Sequence, residues 1–199
     1  DGSLYFEASM PGGDTQVWKT DGTPGGTVFV FDINANYDDL RSQMTEMDGN
    51  LYFSGSDNGE DFELWRSDGS FANLVKDIWL GNNGSFPGEF AVYNNLLYFG
   101  ADDGVLGEEL YSSDGTEINT IIVEDMLPGA QGFGPEDLFV FGNLLFFTND
   151  SDHPAYGYYE LWATNGLPNG SYLVKDLNPG SGEVNASCST LMGNTVFFQ

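Results

Sequence analysis

The stretch Glu63–Ser70 reads Glu-Leu-Trp-Arg-Ser-Asp-Gly-Ser and decides the fold, because the chain contains four versions of it. The other versions read Gln-Val-Trp-Lys-Thr-Asp-Gly-Thr at 16–23, Glu-Leu-Tyr-Ser-Ser-Asp-Gly-Thr at 109–116 and Glu-Leu-Trp-Ala-Thr-Asn-Gly-Leu at 160–167. Self-similarity at a fixed period is typical of propellers and other repeat arrays. The sequence therefore predicts a repeat fold.

Two shorter motifs flank each copy at regular distances. Leu-Tyr-Phe precedes it at 4–6, 51–53 and 97–99, and Leu-Phe-Phe precedes it at 145–147. These motifs start 47, 46 and 48 residues apart (4 to 51, 51 to 97, 97 to 145), and Val196-Phe197-Phe198 begins 51 residues after the fourth. An Asp follows each copy, as Asp32, Asp77, Asp125 and Asp176. We expect these side chains to accept hydrogen bonds from N–H groups of the loop that crosses to the next unit.

Each unit consists of short apolar and aromatic runs separated by turn residues. In the second unit, residues 51–54, 62–66 and 74–78 have the composition of strands. The Asp-Gly pairs predict tight hairpins, because Gly accepts a positive φ. No segment shows a helical period. We predict an all-β chain of four-stranded antiparallel blades, which would form a small ring, a section of a larger ring or an open array.

We predict a single domain over residues 1–199, with units at about 1–48, 49–93, 94–141 and 142–192 and a fifth beginning at 193–199. The first unit lacks the strand that precedes Leu4-Tyr5-Phe6. A strand at 189–192 would supply it and would leave Val196-Phe197-Phe198 as a surplus strand. A surplus strand exposes unpaired backbone groups unless something covers it. We expect it to dock on Leu4-Tyr5-Phe6, or on another open edge, of a neighbouring copy.

The composition argues against several classes of partner. The 199 residues include 31 Asp and Glu but 5 Lys and Arg, for a formal net charge of -26. This charge repels nucleic acid and anionic membrane surfaces and attracts cations. A single cysteine, Cys188, cannot form a disulfide within the chain, and no apolar run approaches a membrane span. Because the chain opens and stops within a repeat, we expect it to be a piece of something longer.

Four Asn-X-Ser sequons lie in segments that read as loops, where glycosylation requires them. The candidate glycosylation sites are Asn83, Asn149, Asn169 and Asn185. Their use would require a secretory route. We therefore expect an extracellular or cell-surface protein.

The paired motifs resemble the ELWxxDGT repeat family. The likeness is greatest at 63–78, 109–129 and 160–180, where a Leu-Val-Lys-Asp-Ile-x-Pro-Gly pattern follows the Glu-Leu-Trp motif, and it extends over essentially the whole chain. The chain departs from the pattern at Tyr111, which replaces Trp, at Asn165, which replaces Asp, and at 28–31, which replace the strand containing Lys. The resemblance implies a propeller-like, secreted or surface-exposed protein and supplies no catalytic residues.

The acidic loops after the Leu-Tyr-Phe motifs are the candidate metal sites. They contain the pairs Asp57 and Asp61, Asp102 and Asp103, and Asp150 and Asp152. Calcium takes six to eight oxygen ligands from flexible acidic loops, although none of these loops has EF-hand spacing. The alternative is that these carboxylates form solvated turns. No other cofactor is implied.

No constellation of residues indicates catalysis. His153, the only histidine, lies in a loop without an evident partner, and one His with one Cys is a poor zinc set. Glu108 and Glu109 are neighbours on a predicted strand and point to opposite faces, so they do not form a glycosidase pair. Trp18, Trp65, Tyr111 and Trp162 occupy equivalent positions and are expected to fill the space between sheets. We expect a non-enzyme.

Two functions remain open from the sequence. The first is an extracellular structural protein that associates head to tail, through edge strands, into a fibre or surface layer. The second is a monomeric propeller that binds a glycan or a protein through its loops, with the help of calcium. A hydrolase in which this chain is only an accessory part is a third, weaker alternative.

Overall fold

A computed structural model describes residues 3–9, 15–33, 44–57, 60–149, 157, 159–176, 190–192 and 195–197. These residues form strands and turns, with no helix among them. Accordingly, no helix in this part of the chain could span a membrane. The strands are β1 (Leu4–Ser9), β2 (Thr15–Thr20), β3 (Val28–Ile33), β4 (Thr45–Met47), β5 (Asn50–Gly55), β6 (Glu63–Ser67), β7 (Ala72–Lys76), β8 (Gly88–Tyr93), β9 (Leu96–Asp102), β10 (Glu108–Ser113), β11 (Ile121–Glu124), β12 (Pro135–Phe141), β13 (Leu144–Asn149), β14 (Leu161–Thr164), β15 (Ser171–Lys175), β16 (Thr190–Met192) and β17 (Thr195–Phe197).

The described strands form antiparallel sheets in chain order. The first sheet is β1-β2-β3, and the second, third and fourth sheets are β4-β5-β6-β7, β8-β9-β10-β11 and β12-β13-β14-β15. Strands β16 and β17 form a separate two-stranded hairpin. The prediction of an all-β chain built from four-stranded antiparallel units is confirmed. The first sheet has three strands in the described part of the chain. This agrees with the sequence, in which no strand was predicted before Leu4-Tyr5-Phe6.

The sheets are offset from the sequence units. In the second, third and fourth sheets, the strand before the motif is hydrogen-bonded to the strand that contains it, so β8, for example, belongs with β9. Each sheet therefore begins just after the loop that crosses from the previous one. That the whole chain is one domain stays a prediction.

Turn chemistry determines the first hairpin of the second and third sheets. Asn94 and Asn95, between β8 and β9, have φ values of 50° and 60°. Asp48 and Gly49, between β4 and β5, have φ values of 51° and 77°. Two consecutive positive φ values match the twist of a two-residue hairpin. These turns hold the leading strand against the Leu-Tyr-Phe strand.

The Asp-Gly pairs form longer connections than two-residue hairpins. Strand β6 ends at Ser67 and its partner β7 begins at Ala72, so four residues connect them. The Asp side chain folds back on its own loop and accepts a hydrogen bond from the N–H of the residue two positions later. In the second sheet, the N–H of Ser70 lies 2.9 Å from Oδ1 of Asp68. This Asx-type turn explains the preference for Asp or Asn at that position.

The core lies between consecutive sheets. One buried apolar cluster joins the first and second sheets around Val17 and Phe53, a second joins the second and third around Leu64 and Phe99, and a third joins the third and fourth around Leu110 and Phe147. Each sheet therefore buries both faces when it has a neighbour on each side. This arrangement is what a repeat unit requires, since one such unit cannot cover its own apolar faces.

Candidate functional site

The Glu that opens the motif in the second sheet is a buried anchor for the crossover loop. The carboxylate of Glu63 accepts the N–H of Ile78 at 2.8 Å, of Trp79 at 3.3 Å and of Ser85 at 3.0 Å. It also accepts the hydroxyl of Ser85 at 2.5 Å. Burial raises the pKa of Glu63, while these hydrogen bonds, led by the Ser85 hydroxyl, act in the opposite direction. The Glu63 side chain thus fastens the loop that leads to the third sheet to strand β6.

Glu109 occupies the same position in the third sheet with fewer donors. Its Oε2 accepts the N–H of Met126 at 3.2 Å. The residue that corresponds to Ser85 is Phe133, which has no hydroxyl, and Oε1 of Glu109 is buried without a hydrogen bond of ordinary geometry in the described structure. Burial raises the pKa of Glu109 to about 8, with a further contribution from the charge of Asp125, although nearby N–H groups favour the charged form.

The loop anchor is therefore the Glu rather than the Asp that we expected to accept these bonds. Asp77, Asp125 and Asp176 each have an Oδ1 that is buried and has no hydrogen-bond partner among the described residues. The side chain of Asp32 lies outside the described part. The sequence contained a signal for the Glu, since Glu63, Glu109 and Glu160 recur at one motif position, and all three are buried.

The Asp residues of the Asp-Gly pairs stabilise the turns in which they lie, as the sequence predicted. Asp21 accepts the N–H and hydroxyl of Thr23, and Asp114 accepts the N–H and hydroxyl of Thr116. Hydrogen bonds from these Thr residues lower the pKa of both carboxyl groups. Asn165 makes the equivalent bond to the N–H of Leu167 at 3.0 Å. These side chains therefore have a structural role in their turns.

The acidic loops do not share one arrangement. Oδ1 of Asp102 accepts the N–H of Gly104 at 2.7 Å, and Oδ1 of Asp103 accepts two N–H groups of its own loop at 2.8 Å. These two carboxylates support a turn. Asp61 is different, because burial raises its pKa and the charges of Asp77 and Asp57 raise it further.

The structure does not assemble a metal site from these loops. Among the residues it describes, no group of three or more His, Cys, Asp or Glu side chains is arranged to hold a metal ion. Asp150 and Asp152, which were also candidates for calcium, lie outside the described residues, and so does His153. Calcium binding by these loops stays a prediction.

Asn149 is a structural residue, and a glycan there stays a prediction that its burial argues against. Its side chain is fully buried. Its Nδ2 donates to the carbonyl of Gly157 at 2.8 Å, and its Oδ1 accepts the N–H of Glu160 at 3.0 Å and Nε1–H of Trp162 at 3.3 Å. A sugar on Nδ2 would displace the contact with the Gly157 carbonyl and would have no room at this buried position. Two further sequon residues, Asn83 and Asn169, are exposed, and Asn185 lies outside the described residues.

The residues expected to mediate self-association differ in accessibility. Strand β1 has one hydrogen-bonded neighbour in the described structure, β2, whereas its counterparts β5, β9 and β13 are each paired on both sides. On β1, Leu4 is exposed, Phe6 is half-buried, and Tyr5 points into the core with the second sheet. On β17, Phe197 is exposed and Val196 is described by its backbone alone. Phe198 lies outside the described residues.

A contact between motifs of neighbouring sheets was not predicted. The hydroxyl of Tyr52, from the Leu-Tyr-Phe motif of the second sheet, fills the space that a Cβ atom on Gly115 would need. Tyr98 does the same at Gly166, and Tyr5 lies 3.5 Å from the corresponding point on Gly69. The sequence contained one signal for this contact, since the Tyr of Leu-Tyr-Phe and the Gly of Asp-Gly recur together in the repeats. The contact was not predicted because the two residues lie far apart in the sequence.

The comparisons with known proteins bear on the fold. Neither a protein-family model nor a curated protein sequence matches the chain. Among solved structures, a puromycin hydrolase is 14% identical, with a TM-score of 0.58, over 98% of this chain and 31% of that one. The β-propeller domain of the Trilobed protease from Pyrococcus furiosus, described as having an open velcro topology, is 14% identical, with a TM-score of 0.52, over 89% of this chain and 52% of that one.

A third similar structure comes from a study of two prolyl endopeptidases, at 13% identity and a TM-score of 0.56, and covers 98% of this chain and 29% of that one. This chain therefore spans less than a third of the length of the first structures it resembles. Identities this low establish the fold and nothing about activity. The fold is β-propeller-like, as the sequence predicted.

Proposed function

We propose that this chain is a non-catalytic structural repeat protein of the cell exterior that associates head to tail with further copies of itself. The observation that carries the proposal is the edge of β1, which among the described residues is paired on one side only, whereas its counterparts β5, β9 and β13 each have a strand on both sides. An unpaired edge with the exposed Leu4 beside it accepts an added strand. The separate hairpin β16-β17 also has an exposed apolar side chain, that of Phe197.

The surrounding features agree with this role. The chain consists of units that stack through one repeated apolar interface, which is a mode of construction that extends readily by addition. The acidic composition would keep such an assembly soluble. The exposed sequon residues Asn83 and Asn169 are sites where sugars would not disturb the sheets.

Electron microscopy of the material as isolated tests this function. Filaments or layers with an axial repeat near one subunit are the expected result, and deletion of residues 189–199 should abolish them while the remaining sheets stay folded by circular dichroism. Polymers that persist after the deletion would exclude the β16-β17 strands as the linking element. Single compact particles at all concentrations would contradict self-association altogether.

The second candidate is a binding module for a glycan or protein ligand that uses calcium. It is favoured by one observation: the charges of Asp77 and Asp57 contribute to the raised pKa of Asp61, so these carboxylates lie near one another. Calcium titration followed by calorimetry tests it, with Asp61→Asn as the variant and Asp68→Asn, in an exposed turn, as the control. Heat of binding that Asp61→Asn removes and Asp68→Asn retains would support this candidate, and an absence of heat would contradict it.

A further inference from the structure

The crossover loops that follow the second and third sheets are attached to the same motif Glu, but not equally well. Loop 77–87 leads from β7 to β8, and loop 125–134 leads from β11 to β12. Glu63 accepts four hydrogen bonds from the first loop, two of them from Ser85. Glu109 accepts the N–H of Met126 with Oε2, but its Oε1 is buried without a hydrogen bond of ordinary geometry. Both side chains are buried, at 2% and 0% exposure, so the difference lies in the donors.

The sequence explains why Glu109 lacks these donors. Phe133 stands where the first loop has Ser85, so this position has no hydroxyl group. The backbone N–H of Phe133 donates to the carbonyl of Glu108 at 2.8 Å, whereas the N–H of Ser85 donates to Glu63. A buried carboxylate with too few donors is unfavourable, while a neutral carboxyl group needs fewer. The surroundings of Glu109 therefore favour its protonated form.

The charges around Glu109 act in the same direction. Residues 77–152 contain no Lys, Arg or His, so the third sheet and its loops have no positive side chain of their own. Lys76 reaches this sheet from β7, but its Nζ donates to the carbonyl of Thr120, at the far end of β11 from loop 125–134. The titratable groups on the elements around Glu109 are acids and one phenol, namely Asp102 on β9, Glu108 and Tyr111 on β10, Glu124 on β11, Asp125 in the loop, and Glu136 and Asp137 on β12.

Asp125 is the acid whose charge acts on Glu109. Burial raises the pKa of Glu109 to about 8, and the charge of Asp125 contributes to the increase. Asp125 is also the one titratable residue of loop 125–134. Its Oδ1 is buried and has no hydrogen-bond partner among the described residues. Two buried acids with unsatisfied oxygens therefore lie where the loop leaves the third sheet.

Loop 125–134 also carries part of the core between the third and fourth sheets. Phe133 is fully buried, and its ring packs edge-on against Trp162 and Phe147, with centroids 5.1 Å and 6.0 Å away. Just before the loop, Oε2 of Glu124 accepts the N–H of Ser171 in the fourth sheet at 3.3 Å. Opening of this loop would therefore loosen the contact between the two sheets.

We propose that Glu109 is a pH-sensitive latch, which holds loop 125–134 closed while its carboxyl group is protonated and lets the loop open when the proton is lost to solvent. In the closed form the O–H of Glu109 donates to Oδ1 of Asp125, and the other oxygen keeps the N–H of Met126. In the open form Glu109 is ionised and hydrated. Loop 77–87 stays closed, because the donors of Ser85 stabilise the carboxylate of Glu63. This inference is independent of the proposed self-association, since the latch lies within one chain.

The direction of the pH effect follows from the two forms of the loop. Glu109 ionises near pH 4.5 when it is hydrated and near pH 8 when it is buried. Below the lower value both forms are protonated and the latch is fully effective. Between the two values each unit of pH makes opening about tenfold easier, because opening then releases a proton. Above about pH 8 both forms are ionised, so opening becomes no easier.

Hydrogen exchange of the intact chain, followed by mass spectrometry from pH 5 to pH 9, tests the latch. Exchange rates are first corrected for the pH dependence of exchange in an unstructured peptide, which leaves the protection due to structure. Protection of loop 125–134 should fall about tenfold per pH unit and level off near pH 8. Loop 77–87 is the internal control and should lose less protection. Peptides from β9 and β10 should stay protected, which separates local opening from unfolding of the chain.

Three variants assign the effect to Glu109. Glu109→Gln cannot ionise, so protection of loop 125–134 should no longer depend on pH. Glu108→Gln is the matched control, because it removes the same charge from the opposite face of β10 and should keep the pH dependence. Asp125→Asn removes the charge that disfavours ionisation of buried Glu109, so protection should level off at a lower pH than in the unchanged chain. Circular dichroism shows whether each variant is folded, and the Asp125→Asn profile decides if Glu109→Gln is not.

Three results would overturn the latch. Loops 77–87 and 125–134 could lose protection equally as pH rises, which would show that the difference in donors has no effect. The profile of loop 125–134 could be the same in Glu109→Gln or Asp125→Asn as in the unchanged chain, which would exclude Glu109 as its cause. Protection could fall in β9 and β10 together with the loop, which would mean that the whole chain unfolds. None of these results bears on self-association.

Discussion

The hydroxyl of Tyr52 occupies the space that a Cβ atom on Gly115 would require, although the two residues belong to neighbouring sheets and lie far apart in the sequence. Gly115 has a φ of 86°, which by itself favours glycine. Two independent requirements therefore fall on one residue, the backbone conformation of its hairpin and the close approach of the preceding sheet. The Asp-Gly motif is thus a contact point between sheets as well as a turn.

Replacement of Gly115 should reveal the second requirement. Gly115→Ala should lower the free energy of unfolding more than Gly22→Ala does, because Gly22 has a similar φ of 89° but open space at its Cβ position. We expect backbone strain of about 1 kcal/mol in both variants and a further loss of ~1–3 kcal/mol from overpacking in Gly115→Ala. Urea denaturation measures both, and Tyr52→Phe should recover part of the loss at Gly115. Equal losses at the two positions would show that the Tyr52 contact is unimportant.

Glu109 should make stability depend on pH. Its pKa is about 8 in the folded chain and near 4.5 in the unfolded one, so between these values the folded state retains a proton that the unfolded state has lost. Stability is therefore full below pH 4.5, falls as pH rises and has lost this contribution above about pH 8. Glu109→Gln cannot ionise, so it should gain stability relative to the unchanged chain by up to ~1.4 kcal/mol per pH unit across this window.

Glu63→Gln is the control for this effect. The Glu63 carboxylate accepts four hydrogen bonds, and an amide would turn an NH2 group toward some of these donors. It should therefore lose stability at neutral pH, unlike Glu109→Gln. Parallel curves of stability against pH for the unchanged chain and Glu109→Gln, from chemical denaturation, would contradict the assignment of this pH dependence to Glu109.

Asn149 should be essential for the loop that precedes β14 and should carry no sugar. Asn149→Ala removes the partners of the Glu160 N–H, the Trp162 Nε1–H and the Gly157 carbonyl. Each buried group left without a partner costs about 1–3 kcal/mol, so we expect a large drop in the thermal transition. Asn83→Ala, at an exposed sequon, should leave the transition unchanged. Mass spectrometry of peptides from secreted material should find Asn149 unmodified, and a glycan there would contradict the buried position.

Salt should strengthen self-association. Two copies that each carry a net charge of -26 repel one another, and the side chains exposed at the proposed contact, Leu4 and Phe197, are apolar. Because the Debye length falls from about 30 Å at 0.01 M to about 3 Å at 1 M salt, screening removes the repulsion while apolar burial is retained. Sedimentation velocity at low and high sodium chloride should show larger species at high salt. Dissociation by salt would instead indicate a contact made by ion pairs.

Much of the fold could be predicted from the sequence because the signals are local and repeated. The period of the Leu-Tyr-Phe motifs predicted the units, and the apolar runs predicted the strands. The Asx turn at Asp68 is likewise a contact over two residues. Local signals of this kind are complete within a few residues, so no knowledge of the partner sheet is needed to interpret them.

The candidate site depended on distant contacts and was predicted less well. Asn149 belongs to an ordinary sequon, and only its burial against Trp162 shows that it is structural. Glu63 and Asp77 are both acidic residues of the repeat, and only the positions of the crossover N–H groups show that Glu63 holds the loop. Sequence spacing does not tell which of two nearby carboxylates reaches a given donor.

By itself, the sequence determined that this protein is an array of antiparallel β units with a strongly acidic surface, since repetition and charge are properties of the chain alone. Only the tertiary structure decided which sides of those units are covered. Leu4 and Leu51 occupy the same motif position, yet one is exposed and the other is buried. The physical reason is that burial depends on the presence of a neighbouring sheet, and an identical local sequence cannot specify whether a neighbour is there.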